Sequence, residues 1–165
     1  MNPSSDVIRR AEKRDLPSVA QLAGALVRMH HTADPGRFLL IGDVEKGYAW
    51  WLSRELDRGA AVVLVACRGD RVVGYAYGAL EERDWNLLLD EHGAIHDVFV
   101  ADEARGAGVG RALVEALVAA LSALGAPRFV LSTMVGNEAA QHLFQRCGFR
   151  PTMLEMTLGP SPAAR

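Results

Sequence analysis

Apolar residues recur along this chain with two periods, and the order in which the periods alternate outlines a fold. Val7-Ile8-Arg9-Arg10 reads as a short strand. Leu16, Val19, Ala20, Ala23, Leu26 and Val27 then fall at helical spacing, with Asp15 placed to cap the helix and Pro17 in its first turn. The segment from His30 to Gly36 should break that helix. A second helix follows, capped by Asp43, with Tyr48, Trp51, Leu52 and Leu56 as its apolar stripe. Of the neighbours Trp50 and Trp51, one is expected in the core and the other partly exposed.

Ala61 to Ala66 is a β-branched apolar run, Gly69-Asp70 a turn and Arg71 to Leu80 a second strand, which together predict an antiparallel hairpin. Residues 81–93 are irregular and acidic, with Trp85 and a Leu87-Leu88-Leu89 run. That connection is long for a compact domain, and loops of this kind are often functional. Ile95 to Val100 reads as a buried strand and Ala101 to Ala104 as an acidic turn. Leu113, Leu117, Ala120, Leu121 and Leu124 then form one face of a helix that Gly125 caps. Pro127 leads into a strand from Phe129 to Thr133, and Asn137 opens a helix through Arg146. Cys147-Gly148-Phe149 turns the chain, and Arg150 to Leu158 reads as a last strand.

The order is strand, helix, helix, three strands, helix, strand, helix, strand. Strands alternate with helices only late, so the sheet is expected to be mixed with helices on both faces, an α/β (α+β) arrangement. A chain of 165 residues suits one domain, expected over residues 1–158, and the Pro- and Ala-rich tail 159–165 is expected to be disordered. Half of the residues are apolar and 23% are charged, as in ordinary globular proteins. A net charge of −2 without a long basic run disfavours nucleic acid as a partner. No apolar stretch reaches the roughly 18 residues of a membrane helix, and the first residues lack a signal-peptide pattern, so a cytoplasmic protein is expected. Cys67 in a strand and Cys147 near a helix end point to reduced thiols, and without CxxC or a Cys/His cluster no metal site is expected.

Candidate chemistry concentrates in Arg105-Gly106-Ala107-Gly108-Val109-Gly110-Arg111. Three alternate glycines strip side chains from the place where a helix begins. Backbone amides can there approach a ligand at a partly positive helix end, which favours phosphate. The corner is expected to hold the pyrophosphate of a cofactor. A dinucleotide fingerprint needs G-x-G-x-x-G directly after a strand and an acidic residue about 20 positions later. Here the glycines run G-x-G-x-G, five residues separate them from Val100, and the next strand ends in Ser132-Thr133. A P-loop needs Gly-Lys-Ser/Thr, and the corner has no Lys.

Arg105 to Gly110 instead matches R-x-x-G-x-G, and in this the chain resembles the GNAT superfamily of N-acetyltransferases. A second stretch, from Asn137 to Phe149, is similar to another motif of that family, with Asn137, Ala140, Gly148 and Phe149 at the family's offsets. The resemblance implies a mixed, mostly antiparallel central sheet and acetyl-CoA as cofactor, its pyrophosphate on residues 105–111. Arg105 and Arg111 either meet phosphates or are solvated. Asn137 either caps its helix or also reaches a polar ligand, and small Ala140 leaves room for a pantetheine arm. The first two helices are implied to lie over the acceptor site, and residues 81–93 are expected to wall its pocket. Edge-strand pairing into a homodimer is a further implication.

The implied reaction moves acetyl from a thioester to a primary amine of a small molecule or peptide by direct attack in a ternary complex. The carbonyl oxygen is stabilised by a backbone N–H on the central strand, near Val98, Phe99 and Val100. The ammonium must first lose a proton. His96 is the favoured base, because an imidazole titrates near neutral pH, at about 6.5. It is expected on the same strand face as Val98. Asp97 is the runner-up, since a strand distortion would exchange the faces; a water relay past a merely structural His96 stays open. Glu81, Glu82, His30 and His31 could act from the rim. Phe144 stands where the family usually has the Tyr that protonates the thiolate, and it has no proton to give; Cys147 and His142 nearby read as packing or surface residues. That departure keeps a non-catalytic acyl-CoA-binding or sensing domain as the alternative, with a nucleotide-binding module as a third.

Overall fold

Two adjoining strands, β2 (Ala61–Arg68) and β3 (Arg71–Glu81), are buried on both faces, and the rest of the chain is laid around them. The computed structural model describes residues 6–159. β1 (Val7–Arg10) pairs antiparallel with β2, β2 with β3, and β3 with β4 (His92–Val100), while β5 (Phe129–Leu131) joins β4 in parallel. The five strands therefore follow sequence order across a mixed, mostly antiparallel sheet. Four helices complete it: α1 (Leu16–Ala33), α2 (Val44–Leu56), α3 (Val109–Ala123) and α4 (Glu138–Arg146).

The period of two along β2 divides the core. Val63 and Val65 point with Tyr75, Tyr77 and Ala79 into a cluster closed by Leu16, Val19 and Ala23 of α1 and Leu52 of α2. Val62, Leu64 and Ala66 point the other way, with Ala76 and Ile95, onto Val109, Leu113, Leu117 and Leu121 of α3. Gly78 of β3 lets α3 come this close. A Cβ there would stand 2.6 Å from the Ala94 carbonyl oxygen and 3.2 Å from Leu121. Close docking of α3 fixes its N-terminus against the end of β4, and so places the glycine corner.

The break of α1 within His30 to Gly36 is as expected, since the helix runs to Ala33 and stops at Asp34, the residue that Pro35 drives out of helical geometry. Several other expectations need correction. Asp15 sits at the cap position of α1 without capping it. Its carboxylate accepts both Arg9 guanidinium nitrogens, at 2.7 and 2.8 Å, and the Glu12 amide at 2.7 Å. Asp43 likewise makes no side-chain cap. Residues 81–93 are less irregular than their composition implies. β3 and β4 extend into them, and the tip closes through a paired bridge between Asp84 and Leu89. Trp51 packs against the core and Trp50 is exposed, as expected.

Residues 150–158 do not form the last strand. They are exposed and lie on no strand edge, and Pro151 lacks the N–H a ladder requires. One ion pair, Arg37–Glu155, ties them to the loop after α1. The expected tail disorder falls outside the described residues, apart from exposed Gly159. Among the described residues no helix is long and apolar enough to cross a membrane.

Candidate active site

Pairing between β4 and β5 covers three positions, Gly93 with Phe129, Ala94 with Val130 and Ile95 with Leu131, and then ends. β4 runs on to Val100 paired with β3 alone. From His96 to Val100 one edge of β4 is therefore free of a neighbouring strand, and the chain beyond it turns into the glycine corner.

Gly106 and Gly108 of that corner have φ of +77° and +84°, a left-handed region where a Cβ is strained; Gly108 is the N-cap of α3. A Cβ on either would meet nothing within 4 Å. Backbone conformation, not crowding, selects glycine here, and the space beside the backbone is open. The Ala112 amide bonds the Gly108 carbonyl at 3.0 Å. The amides of Val109, Gly110 and Arg111 lie ahead of it at the positive end of α3, which has no acidic residue in its first turn. An open, amide-lined, left-handed corner of this kind fits a pyrophosphate. Gly110 has a different reason: its Cβ would stand 3.2 Å from Leu143 of α4. The flanking arginines are engaged within the protein. Arg105 donates to the Val100 carbonyl at 3.0 Å, pairs with Asp102 at 2.8 Å and lies over the Phe99 ring, whereas Arg111 pairs along α3 with Glu115 at 2.7 Å. A cavity of ≈ 450 Å³ lies between Leu22, Ala25 and Met29 of α1 and Phe99, Ala101 and Arg105.

The second motif turns out to be the two ends of α4. Asn137 accepts the Ala140 amide at 3.1 Å through Oδ1, a capping bond that leaves its Nδ2 without a protein partner among the described residues. At the other end Gly148 has φ +91°, its amide bonds the Gln145 carbonyl, and the Phe149 amide bonds the Phe144 carbonyl, both at 3.0 Å. Phe149 meets Phe144 edge-on, the apolar contact that accompanies this cap. Phe144 is thereby held by the helix end. Cys147 is half-buried, and burial pushes its thiol pKa up.

The other half of the site depends on one irregularity. Tyr77 is opposite Asp97 and Gly78 opposite Ile95, so His96 is an extra residue in β4, a bulge. Strict alternation would put His96 with Val98 and Asp97 with Ile95. The bulge instead leaves Ile95, Val98 and Val100 toward α3 and turns both His96 and Asp97 toward the side of α1 and α2. The expectation that His96 shares a face with Val98 is therefore overturned. The distortion weighed as a way to promote Asp97 is present, and it brings both residues to one face.

There the His96 ring stacks on Tyr77, centroids 5.1 Å apart, and its Nε2 lies 3.6 Å from a Glu81 oxygen. The Tyr77 hydroxyl donates to Glu55 at 2.7 Å, and Arg58 lies 3.2 Å from Glu55 and 3.8 Å from Glu81. The Tyr75 hydroxyl donates to Asp97 at 3.1 Å. Burial raises the Asp97 carboxyl above its ordinary value, opposed by the Tyr75 hydrogen bond and by His96. Burial likewise raises the phenols of Tyr48, Tyr75 and Tyr77, which remain protonated donors at neutral pH. Glu55, Arg58, Tyr75 and Tyr77 escaped the sequence reading, and Tyr48 entered it only as part of the apolar stripe of α2. The spacing of Tyr75 and Tyr77, two apart in a buried strand, was the available signal. A second cavity, ≈ 520 Å³, runs from His96 along Glu81, Glu82, Trp85 and His92. His30 and His31 stay on α1, engaged with Phe38 of the following loop.

This geometry has relatives. The sequence model of the acetyltransferase (GNAT) family matches residues 26–149, and the chain belongs to that family. An L-methionine sulfoximine/L-methionine sulfone acetyltransferase of Pseudomonas paraeruginosa is 32% identical over 101 residues, 60% of this chain and 56% of that protein. The chain thus spans about half the length of that relative. Among solved structures, a tetramutant of the BH1408 protein from Bacillus halodurans superposes with a TM-score of 0.78 at 20% identity, over 93% of this chain and 99% of the other. AAC(6')-Iy, in complex with the bisubstrate analogue CoA-S-monomethyl-acetylneamine, superposes with a TM-score of 0.73 at 18% identity, over 95% and 99%. At such identities the structural likeness is one of fold.

Proposed function

We propose that this chain is an acetyl-CoA-dependent N-acetyltransferase whose acceptor is a primary amine of a small molecule or peptide, acetylated by direct attack in a ternary complex. One observation carries the proposal: the bulge at His96 turns an imidazole and a buried carboxyl to one face of β4, where β5 has parted from it and the strand leads into the glycine corner. Acetyl-CoA, when bound, supplies an activated acyl group. The amides of residues 106–111 bind its pyrophosphate, and Asn137 Nδ2 and the small side chain of Ala140 border its arm. The free edge of β4 from Val98 to Val100 offers backbone amides as fixed donors to a carbonyl oxygen. His96 accepts the proton an ammonium must lose, with Glu81 beside it to stabilise the imidazolium. Asp97, held by Tyr75, is the second candidate for that proton.

Thiol release from acetyl-CoA with a panel of primary amines tests the proposal, with mass spectrometry of the amine and with melting curves with and without CoA. Amine-dependent thiol release and acetylated product support it. Stabilisation by CoA with no amine turned over favours a second reading, a non-catalytic acyl-CoA-binding domain, to which Phe144 gives some weight because it offers no proton at the family's tyrosine position. Stabilisation by ATP or NAD but not by CoA would defeat both.

A further inference from the structure

The cavity beside His96 is lined by three carboxylates, two imidazoles and one guanidinium, set among the apolar side chains of Trp85, Leu87 and Ala94 and the amide of Asn86. Glu81, Glu82 and Asp84 line it, and among the described residues Glu82 and Asp84 have no basic partner. Arg83, the one cation on its wall, is already held by Asp90 at 2.9 Å and lies over the Trp85 ring. An acidic rim alone would mean little, since it is well solvated. The independent observation is His92, only 7% exposed on the same wall. Its Nδ1 lies 3.0 Å from the Asp90 carbonyl oxygen, which can only accept, so Nδ1 carries the hydrogen. In the neutral ring Nε2 is then a bare acceptor, and among the described residues it has no partner. Among the described residues no side-chain nitrogen or oxygen shut off from solvent lacks a partner, so Nε2 keeps contact with the space His92 lines. The open Nε2 of a buried imidazole and two carboxylates without a basic partner thus face one cleft, whose near end is His96 and whose far end is the tip of the β3–β4 hairpin.

Resting on the acetyltransferase reading above, we propose that this cleft selects acceptors carrying a second cationic nitrogen: a diamine, held at Glu82, Asp84 and His92 Nε2 while its other amine stands at His96. Ala94, between His92 and His96 on β4, borders the cleft between its two ends and suits an aliphatic spacer. The near amine is the nucleophile, and the far one remains an ammonium and is never acetylated in the same encounter.

The probes are 1,5-diaminopentane and pentylamine, compared at low salt by calorimetric binding and by kcat/KM with acetyl-CoA. The wild-type protein should bind and turn over the diamine about tenfold better, the sum of two partly exposed charge contacts. In the double variant Glu82→Gln, Asp84→Asn that ratio should collapse toward one; Asn keeps the oxygen that Asp84 lends to the Asn86 and Leu87 amides, so the hairpin tip is retained. His92→Gln should lower the ratio by a smaller factor. Equal handling of the two amines by the wild type, undetectable binding of both, or a ratio that persists in the double variant would overturn the proposal. Preferential diamine binding without turnover of either amine would support the cleft and count against the acetyltransferase reading instead.

Discussion

The glycine corner and the His96 face lie at opposite ends of one short run of β4, yet they are built by opposite means. The corner is made of backbone: left-handed glycines, leading amides of α3, and an open surface where side chains are absent. The His96 face is made of side chains from α2, β3 and β4, brought together by one inserted residue. A backbone site tolerates sequence change wherever its dihedral angles survive. A side-chain site tolerates none at the atoms it uses, but its neighbours can be re-chosen.

The sharpest break in that contrast is a glycine variant. Gly108→Ala adds only the strain of a left-handed Cβ, about 1–2 kcal/mol, and should keep most CoA affinity. Gly108→Glu adds a carboxylate at the pyrophosphate and should weaken CoA by about a hundredfold or more, roughly 3 kcal/mol, read by calorimetry and by loss of the CoA-dependent rise in Tm. Equal affinities for the two variants would mean no phosphate binds there. Gly110→Asp is a poorer probe, because its side chain meets Leu143 and would lower Tm without any ligand.

On the other side, His96→Ala should cut kcat about a hundredfold or more at neutral pH while CoA affinity stays put. An unaltered pH–rate profile would transfer the role to Asp97 or to water. Asp97→Asn gives a stability readout. Burial raises the Asp97 carboxyl, so the folded state holds this proton more tightly than the unfolded chain. Its stabilising contribution is then present at low pH and lost as the pH rises through the folded-state value. Asn keeps an oxygen for the Tyr75 hydroxyl and removes the charge, so Tm of the variant relative to the wild type should climb as the pH rises above the ordinary carboxylate value of about 4. A flat difference would show that no buried charge is involved.

The smallest effect is expected at Phe144, on the helix whose Leu143 packs against Gly110 of the corner. Phe144→Tyr supplies a proton donor at the family's position while the ring keeps its edge contact with Phe149. A rise in kcat of less than about tenfold would fit a leaving thiol that is already acidic, with a pKa near 8.5. A much larger rise would make the missing hydroxyl the main limit on the enzyme.

Contiguous residues settled a good deal by themselves: the apolar run of β2, the stripes of α1 and α3, the glycine corner, and both ends of α4. Each is a matter of local dihedral preference or local periodicity, and neighbours in sequence are enough to fix it. Tertiary pairing decided the remainder. Residues 150–158 have the composition of a strand, but a strand exists only against a partner edge, and none receives them. Whether His96 or Asp97 faces α1 and α2 turned on the register of β4 against β3, where one extra residue reverses the side-chain alternation on one side of it. The polar company of His96 came from α2 and β3, segments far apart in the chain, and only folding puts Glu55, Arg58, Tyr77 and Glu81 within reach of one another.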